Sequence, residues 1–308
     1  MLRNIGYACV NLTLNQGVKK KNEITTSRTL RMANFSLERC GELAVKNSAD
    51  LVKIIQWNVD NGVKMFRISS EMFPFMDHPT LKYSLENLAE HHSQAIRSNF
   101  AEAGKLAKAN DMRLSCHPGP YTCLASPDHA IVDKSIMSLE MHSTLADLLG
   151  YGDEFAINIH VGGTYGEKAD TAKRFADNYR RLSPQIQRRL TIENDDKASM
   201  WSMSDLYEIL WSRCEGLKLV LDIHHHRFCQ RESLQQAADM AFLTWAGFCE
   251  IPKVHYSESA DGKKPQAHSD YIKERIPDLG DAQYDVMMEA KAKDLALLEY
   301  RSIIGQTL

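Results

Sequence analysis

Short apolar runs alternate along this chain with longer stretches in which apolar residues recur every third or fourth position. The first pattern predicts buried strands and the second amphipathic helices. Strands are expected at 3–10, 64–69, 113–117, 155–161, 189–194, 217–223, 253–257 and 285–290. Helices are expected at 36–61, 87–110, 128–149, 167–182, 204–214 and 232–248, with 293–304 closing the chain. In the first helix Leu37, Leu43, Ala44, Leu51, Ile54 and Ile55 keep helical spacing, and Asn61-Gly62 supplies the stop. A loop and a short helix are expected ahead of the last strand. Residues 11–35 form a long basic loop, with Lys19, Lys20, Lys21, Arg28 and Arg31 against Glu23.

Eight such strands, nearly all separated by helices, in 308 residues match the size of one TIM (β/α)8 barrel. This α/β fold is expected as a single domain over residues 1–308. A doubly wound open sheet is the alternative. No GxGxxG follows any strand, which argues against a dinucleotide-binding half.

Composition changes this picture little: 44% hydrophobic and 25% charged residues give an ordinary globular chain with ample core. No stretch approaches eighteen consecutive apolar residues, so no membrane-spanning helix is expected. The start MLRNIGYACVNLTL lacks the apolar core of a signal peptide. Seven scattered cysteines without a CxxC pair argue against thiolate zinc and a disulfide framework, and fit a reducing compartment. The expected location is cytoplasmic, or nuclear in a eukaryote. A net charge of −3 offers nucleic acid no overall attraction. A carboxylate-rich metal site would subtract charge while local basic patches still grip phosphate.

The candidate chemistry sits where the strands end. The third ends in His117, the fourth in His160, the fifth in Glu193, and the sixth in Asp222 followed by His225. The seventh carries Lys253 and His255, and the eighth ends in Glu289, while His78 and His268 lie in neighbouring loops. Strand C-termini form one ring in a barrel, where active sites are assembled. Placing Asp222 beside His224, His225 and His226 at the end of an apolar strand is costly unless something binds them. Carboxylate oxygen with imidazole nitrogen suits zinc, manganese or iron better than calcium. Three carboxylates and up to six histidines exceed the needs of one ion, so a two- or three-metal cluster is expected. Such clusters suit in-line displacement at phosphorus, which places phosphodiester hydrolysis ahead of sugar isomerisation. Lys253 points to the same strand face as His255, and like charge there would favour its neutral amine. Such an amine can act as a base or form a carbamate; a plain ion pair with one of the acids is the alternative.

The blocks GYACVNLTL, FRISSEMFPFMDHP, LSCHPGPY, IHVGGTYG, IENDD, DIHHH, KVHYSES, AHSDYI and MMEAKAKDLAL resemble the UV damage endonuclease (UVDE) family over nearly the whole chain. The resemblance implies a TIM barrel related to the endonuclease IV type of abasic-site nuclease. It implies cutting of lesion-bearing double-stranded DNA 5′ to pyrimidine dimers, 6-4 photoproducts and abasic sites. It also implies a monomer with two or three divalent ions, Mn2+ foremost and Zn2+, Mg2+ or Co2+ as alternatives.

Carried onto these positions, Glu193, Asp222, His255 and Glu289 would hold one ion. His117 and His160 would hold a second with bridging Glu193, and His225 and His268 a third, with His78 lining the site. The D-x-x-H register of the family selects His225 from the three adjacent histidines, and Lys253 matches a lysine that can be carboxylated. Glu193 and Lys253 are the expected catalytic residues. Tyr7, Asn11, Pro120 and Tyr121 fall on blocks expected to meet damaged DNA. The family usually has Gln-Tyr where this chain has Pro120-Tyr121, and Pro120 has no amide to offer a base. Lys19–Lys21, Arg28, Arg31, Lys263 and Lys264 are expected phosphate contacts. A sugar isomerase or epimerase on the same barrel, an endonuclease limited to abasic sites, and a damage-binding module that does not cut are the alternatives.

Overall fold

The expected barrel is the fold of the computed structural model, which describes residues 1–16, 23–81, 83–248 and 251–305. Its strands are β1 (Leu2–Ala8), β2 (Met65–Ile68), β3 (Arg113–Cys116), β4 (Ala156–His160), β5 (Leu190–Glu193), β6 (Lys218–Asp222), β7 (Lys253–Tyr256) and β8 (Tyr284–Met288). Each pairs in parallel with the next, and β8 closes the ring against β1. Parallel strands covered on both faces read as continuous apolar runs, which is why the sequence pattern reveals all eight.

The outer layer begins with α1 (Leu37–Asp60), α2 (Glu90–Ala109), α3 (His129–Leu148) and α4 (Lys168–Tyr179). A short helix that the sequence pattern does not predict, α5 (Pro184–Arg189), then precedes β5. Ser183 caps it and Pro184 occupies its first turn, so the start signal is present but the helix is too short to show a period. Its last residue, Arg189, is buried and wired to its surroundings. The guanidinium donates to the carbonyls of Ser143, Tyr151 and Gly152, to Ser143 Oγ, and to Asp147 at 2.7 Å. Arg189→Leu would strand the buried acceptors of Ser143 and Tyr151, and we expect it to destabilise the fold by about 3 kcal/mol or more. Urea titration checks this; a loss below about 1 kcal/mol would contradict it.

The expected helix at 204–214 is broken up. After α6 (Met203–Asp205), capped reciprocally by Ser202 and Asp205, the chain widens into a π turn over Leu206–Leu210 and tightens over Trp211–Arg213. A single turn, α7 (Ile223–His226), follows β6. The helix expected to reach 248 is α8 (Leu234–Leu243). It stops early because Thr244 Oγ1 accepts from Leu219 N–H and Trp245 Nε1 donates to the Leu219 carbonyl, tying the chain to β6. The short helix expected before β8 does not occur among the described residues. There the backbone N–H groups of Lys273 and Glu274 are spent on the Glu258 carboxylate instead of on a helix. Finally α9 (Lys293–Ile303) packs near β1.

The main apolar core lies between sheet and helices, and among the described residues Ala8, Met65 and Met287 form a separate small cluster. Much of the barrel interior is polar. Arg113 on β3 reaches Asp285 on β8 at 3.0 Å, and Arg3 on β1 meets the same carboxylate at 2.6 Å. These ion pairs brace the floor on which the strand C-termini stand.

Candidate metal centre

Register places the candidate ligands side by side. His160 pairs with Glu193 across β4 and β5, and Asp222 pairs with His255 across β6 and β7. Glu193 is buried at the centre. One of its oxygens lies 3.3 Å from His117 Nε2, 3.9 Å from His160 Nε2 and 3.0 Å from His255 Nδ1. The other lies 3.4 Å from His225 Nδ1. Asn158 donates to Glu193 and is itself held by Thr191 at 2.8 Å, which fixes the carboxylate from below. Glu289 stands 3.3 Å from His255 and 3.7 Å from His268, and Arg67 on β2 reaches it across the barrel.

The DIHHH segment shows why one histidine of three faces the site. Asp222 caps α7: its Oδ1 accepts the His225 N–H at 2.8 Å, which turns His225 back over the carboxylate. His224 points instead to the Gln266 carbonyl, and His226 toward Glu232. Asn194 locks the ends of β5 and β6 together, accepting from Asp222 N–H at 2.8 Å and donating to its carbonyl at 3.1 Å. Beyond β4, Gly162 adopts a left-handed φ of 94°, and a Cβ there would lie 2.6 Å from Cys123 Sγ. Only glycine lets the loops carrying His117 and His160 approach this closely.

Do these groups fit divalent ions? Ligand atoms bound about 2.0–2.2 Å from one ion stand roughly 3.0–3.5 Å apart, the spacing seen around Glu193. His117, His225 and His268 each set Nδ1 within hydrogen-bond reach of a backbone carbonyl (Pro118, Asn194 and Glu289), an arrangement that assigns Nε2 as the metal-binding nitrogen of the neutral ring. Among the described residues Asp222 Oδ2 and both ring nitrogens of His255 are buried without a hydrogen-bond partner. Two triads share Glu193: His117–His160–Glu193 and Glu193–Asp222–His255, their ligand atoms within 4.8 Å of one another. The residues fit a bridged metal cluster.

Electrostatics agree. Burial opposes charge on His160 and His225, yet the surrounding carboxylates push both up to about 9, Glu193 and Asp195 for the first and Asp222 and Glu193 for the second. Burial, with Glu193 and Glu289 nearby, raises the Asp222 carboxyl above its ordinary range. Glu193 is held low against burial by His255 and His160, and Glu289 by Arg67 and His255. The carboxylates of the site favour positive charge beside them, as a cation site requires.

Lys253 is buried beneath the cluster and its ammonium has no hydrogen-bond or ion-pair partner among the described residues. The ion-pair alternative is therefore not what the structure shows. Burial, then Arg113 and Arg67, push its pKa down to about 7.

Other expected residues fall elsewhere. His78 packs edge-on against Phe75 and contacts Thr80, and makes no ion pair or hydrogen bond with another candidate ligand among the described residues. Tyr7 and Asn11, expected at the damaged DNA, are fully buried. Tyr7 OH donates to Asn58 on α1 at 2.7 Å and accepts from Asn11 at 2.8 Å, so the pair braces β1 and offers DNA no surface. Pro120 is exposed and Tyr121 is 86% exposed, standing free on the loop after β3. Of the expected phosphate contacts, Arg28 is tied to Asp50 at 2.5 Å and to the Thr25 carbonyl at 2.6 Å. Lys19–Lys21 lie outside the described residues.

Sequence reasoning missed Arg67, Asn158 and Asp195. A charge inside the run MFRI was the only signal for Arg67, and a second acid directly after IEN the signal for Asp195.

Comparison with known proteins gives the same direction. The family model described as UV-endonuclease UvdE matches residues 3–304. A UV-damage endonuclease of Schizosaccharomyces pombe is 36% identical over 96% of this chain and 49% of its own length. A UV DNA damage endonuclease of Bacillus cereus (strain Q1) is 32% identical over 97% of this chain and 94% of its own. The chain thus spans about half the length of the fungal relative. A crystal structure of SacUVDE superposes with a TM-score of 0.85 at 30% identity, covering 99% of both chains. Endonuclease IV from Thermus thermophilus (TM-score 0.52, 16% identity, 83% of this chain and 95% of its own) and D-psicose 3-epimerase from Clostridium cellulolyticum H10 (0.51, 16%, 79% and 80%) share the fold alone.

Proposed function

We propose, from the premise that the chain belongs to the UV-endonuclease UvdE family, that it is a metal-dependent DNA repair endonuclease. In this reading residues 1–308 form one barrel domain that acts as a monomer, in the cytoplasm or, in a eukaryote, the nucleus. It hydrolyses the phosphodiester 5′ to pyrimidine dimers, 6-4 photoproducts and abasic sites in double-stranded DNA, leaving a 3′-hydroxyl. The observation that carries the reading is Glu193, buried among four imidazoles.

Glu193, Asp222, His255 and Glu289 would hold one ion, and His117 and His160 with Glu193 a second. His225 and His268 would hold a third. Mn2+ is the first choice and Zn2+, Mg2+ or Co2+ the alternatives. Ions bound there supply a lowered pKa for water and neutralise charge developing at phosphorus. The protein's part is to hold the donors. Arg67 orients Glu289, Asn158 orients Glu193, and the backbone carbonyls fix the imidazole rings. Lys253, its pKa pushed down to about 7, supplies a neutral amine close to the cluster. That amine can add carbon dioxide through nitrogen, releasing a proton and becoming a carbamate that gives the cluster a further anionic oxygen. Tyr121 on its exposed loop would stack on the bases at the lesion, while Pro120 contributes shape without a donor.

The test is a panel of labelled duplexes carrying a pyrimidine dimer, a 6-4 photoproduct, an abasic site or no lesion, incubated with protein and Mn2+. Cutting 5′ to the lesions, lost on chelation, is expected; intact duplexes throughout would end the nuclease reading and leave the epimerase one. Cutting at abasic sites alone would assign a narrowed lesion range to the Pro120 position. In the same assay Tyr121→Ala should weaken lesion binding by about 1–3 kcal/mol, roughly 5- to 150-fold, with metal content unchanged.

A further inference from the structure

A cleft of about 240 Å3 opens beside the metal centre, lined by Arg67, Ala267, His268, Glu289, Lys291 and Lys293. Three cations surround it against one carboxylate, and that carboxylate is already engaged by Arg67 and His255. Among the described residues neither Lys291 nor Lys293 has an ion-pair partner. The one anion of the cleft, Glu289, is near Lys293 but is held by Arg67 and His255, so the cleft, which shares His268 and Glu289 with the metal centre, keeps an excess of positive charge.

The backbone bears costs to hold this arrangement. Lys293 sits at a left-handed φ of 53°, which is unfavourable for a side chain larger than glycine. It also opens α9, where the helix dipole disfavours a cation. The turn is clamped on both sides. Lys291 N–H donates to the Ser269 carbonyl and Ala292 N–H to the Asp270 carbonyl, each at 3.0 Å, while the Asp294 carboxylate accepts from Leu12 and Thr13. A strained, clamped turn carrying two unpaired lysines is built to present charge.

We propose that Arg67, Lys291 and Lys293 form a seat for a backbone phosphate of the DNA strand, adjacent to the phosphate held at the metal centre. This rests on the nuclease reading. The phosphate grip so assigned differs from the one expected from sequence, where Arg28 proves to be committed to Asp50. Arg67 already holds Glu289, so the two lysines are the positions to vary.

Lys291→Gln, Lys293→Gln and the double variant are compared with the wild type for binding of a lesion-bearing duplex over a range of salt. Each lost contact should reduce the slope of log K against log salt by about 0.9, so the double variant should lose about 2. Metal content and melting temperature should stay at wild-type values; Lys291 is exposed, so its substitution leaves folding out of the comparison. A second arm replaces single phosphates near the lesion with neutral methylphosphonates. At one position the replacement should weaken the wild type yet leave the double variant no weaker. An unchanged salt slope, or additive losses at every phosphate, would overturn the seat while wild-type cutting keeps the nuclease. If the wild type with Mn2+ neither binds nor cuts any duplex, the nuclease reading itself fails and takes the seat's occupant with it.

Discussion

Glu193→Gln is expected to lower single-turnover cutting of lesion-bearing duplex by about 10³-fold or more, with the folded structure retained. The amide keeps the shape of the carboxylate and can still accept from Asn158, so packing at the barrel mouth is undisturbed. What it removes is the negative charge shared by His117, His160, His225 and His255, which lie 3.0–3.9 Å away. A bridging position lost this way should also cost at least one ion per chain. Elemental analysis of the purified variant reads that directly, and melting temperature reports the fold. Undiminished cutting with wild-type metal content would remove Glu193 from the proposed centre.

Lys253→Met should move stability and activity in opposite directions. A buried ammonium without a partner is a burden on the metal-free fold, and an unbranched apolar side chain of similar length lifts it by about 1–4 kcal/mol. The sign of the pH dependence follows from the two states. The unfolded chain holds the lysine proton more tightly than the folded one, whose pKa is pushed down to about 7. The burden is therefore fully present below pH 7 and fades as pH rises from about 7 toward the ordinary lysine value of about 10.5. The advantage of the variant in urea should be largest near pH 6 and shrink by pH 9, while its cutting falls by about 10²-fold. A variant less stable than the wild type at pH 6 would show that Lys253 has a partner in the apo protein. Full activity would remove it from the reaction.

These effects fall on residues that the sequence made visible to different degrees. The strands were legible because a two-sided parallel sheet imposes continuous apolar runs, and the candidate ligands because histidines and acids stood at their ends. That logic carried no information on reach across the barrel. Arg67 and Glu289 are 222 positions apart, and nothing local in MFRI marks the arginine as an internal partner. Nor does local pattern say which way a side chain turns within a loop. Asp222 selects His225, as the D-x-x-H register of the family implies, but the helical turn by which it does so is not visible in the sequence, and His78 turns toward Phe75 and Thr80. Tyr7 and Asn11 lie on a block that invites a functional reading, yet they are packing residues closed by Asn58, a partner contributed by α1.

The pairing of β8 with β1 has a consequence for how the chain comes to life on the ribosome. Seven strands emerge first and can pair in sequence, but the cylinder stays split until the eighth arrives to bridge the gap. That same segment delivers Glu289, Lys291 and Lys293. Contacts between β1 and the segment around β8 span as many as 282 positions, the kind of long-range pairing that slows folding. A nascent or prematurely terminated chain therefore lacks the seam that shuts the barrel and the last carboxylate of the proposed centre together. On the proposed reading, closure of the barrel and completion of the centre that would cut DNA become one event.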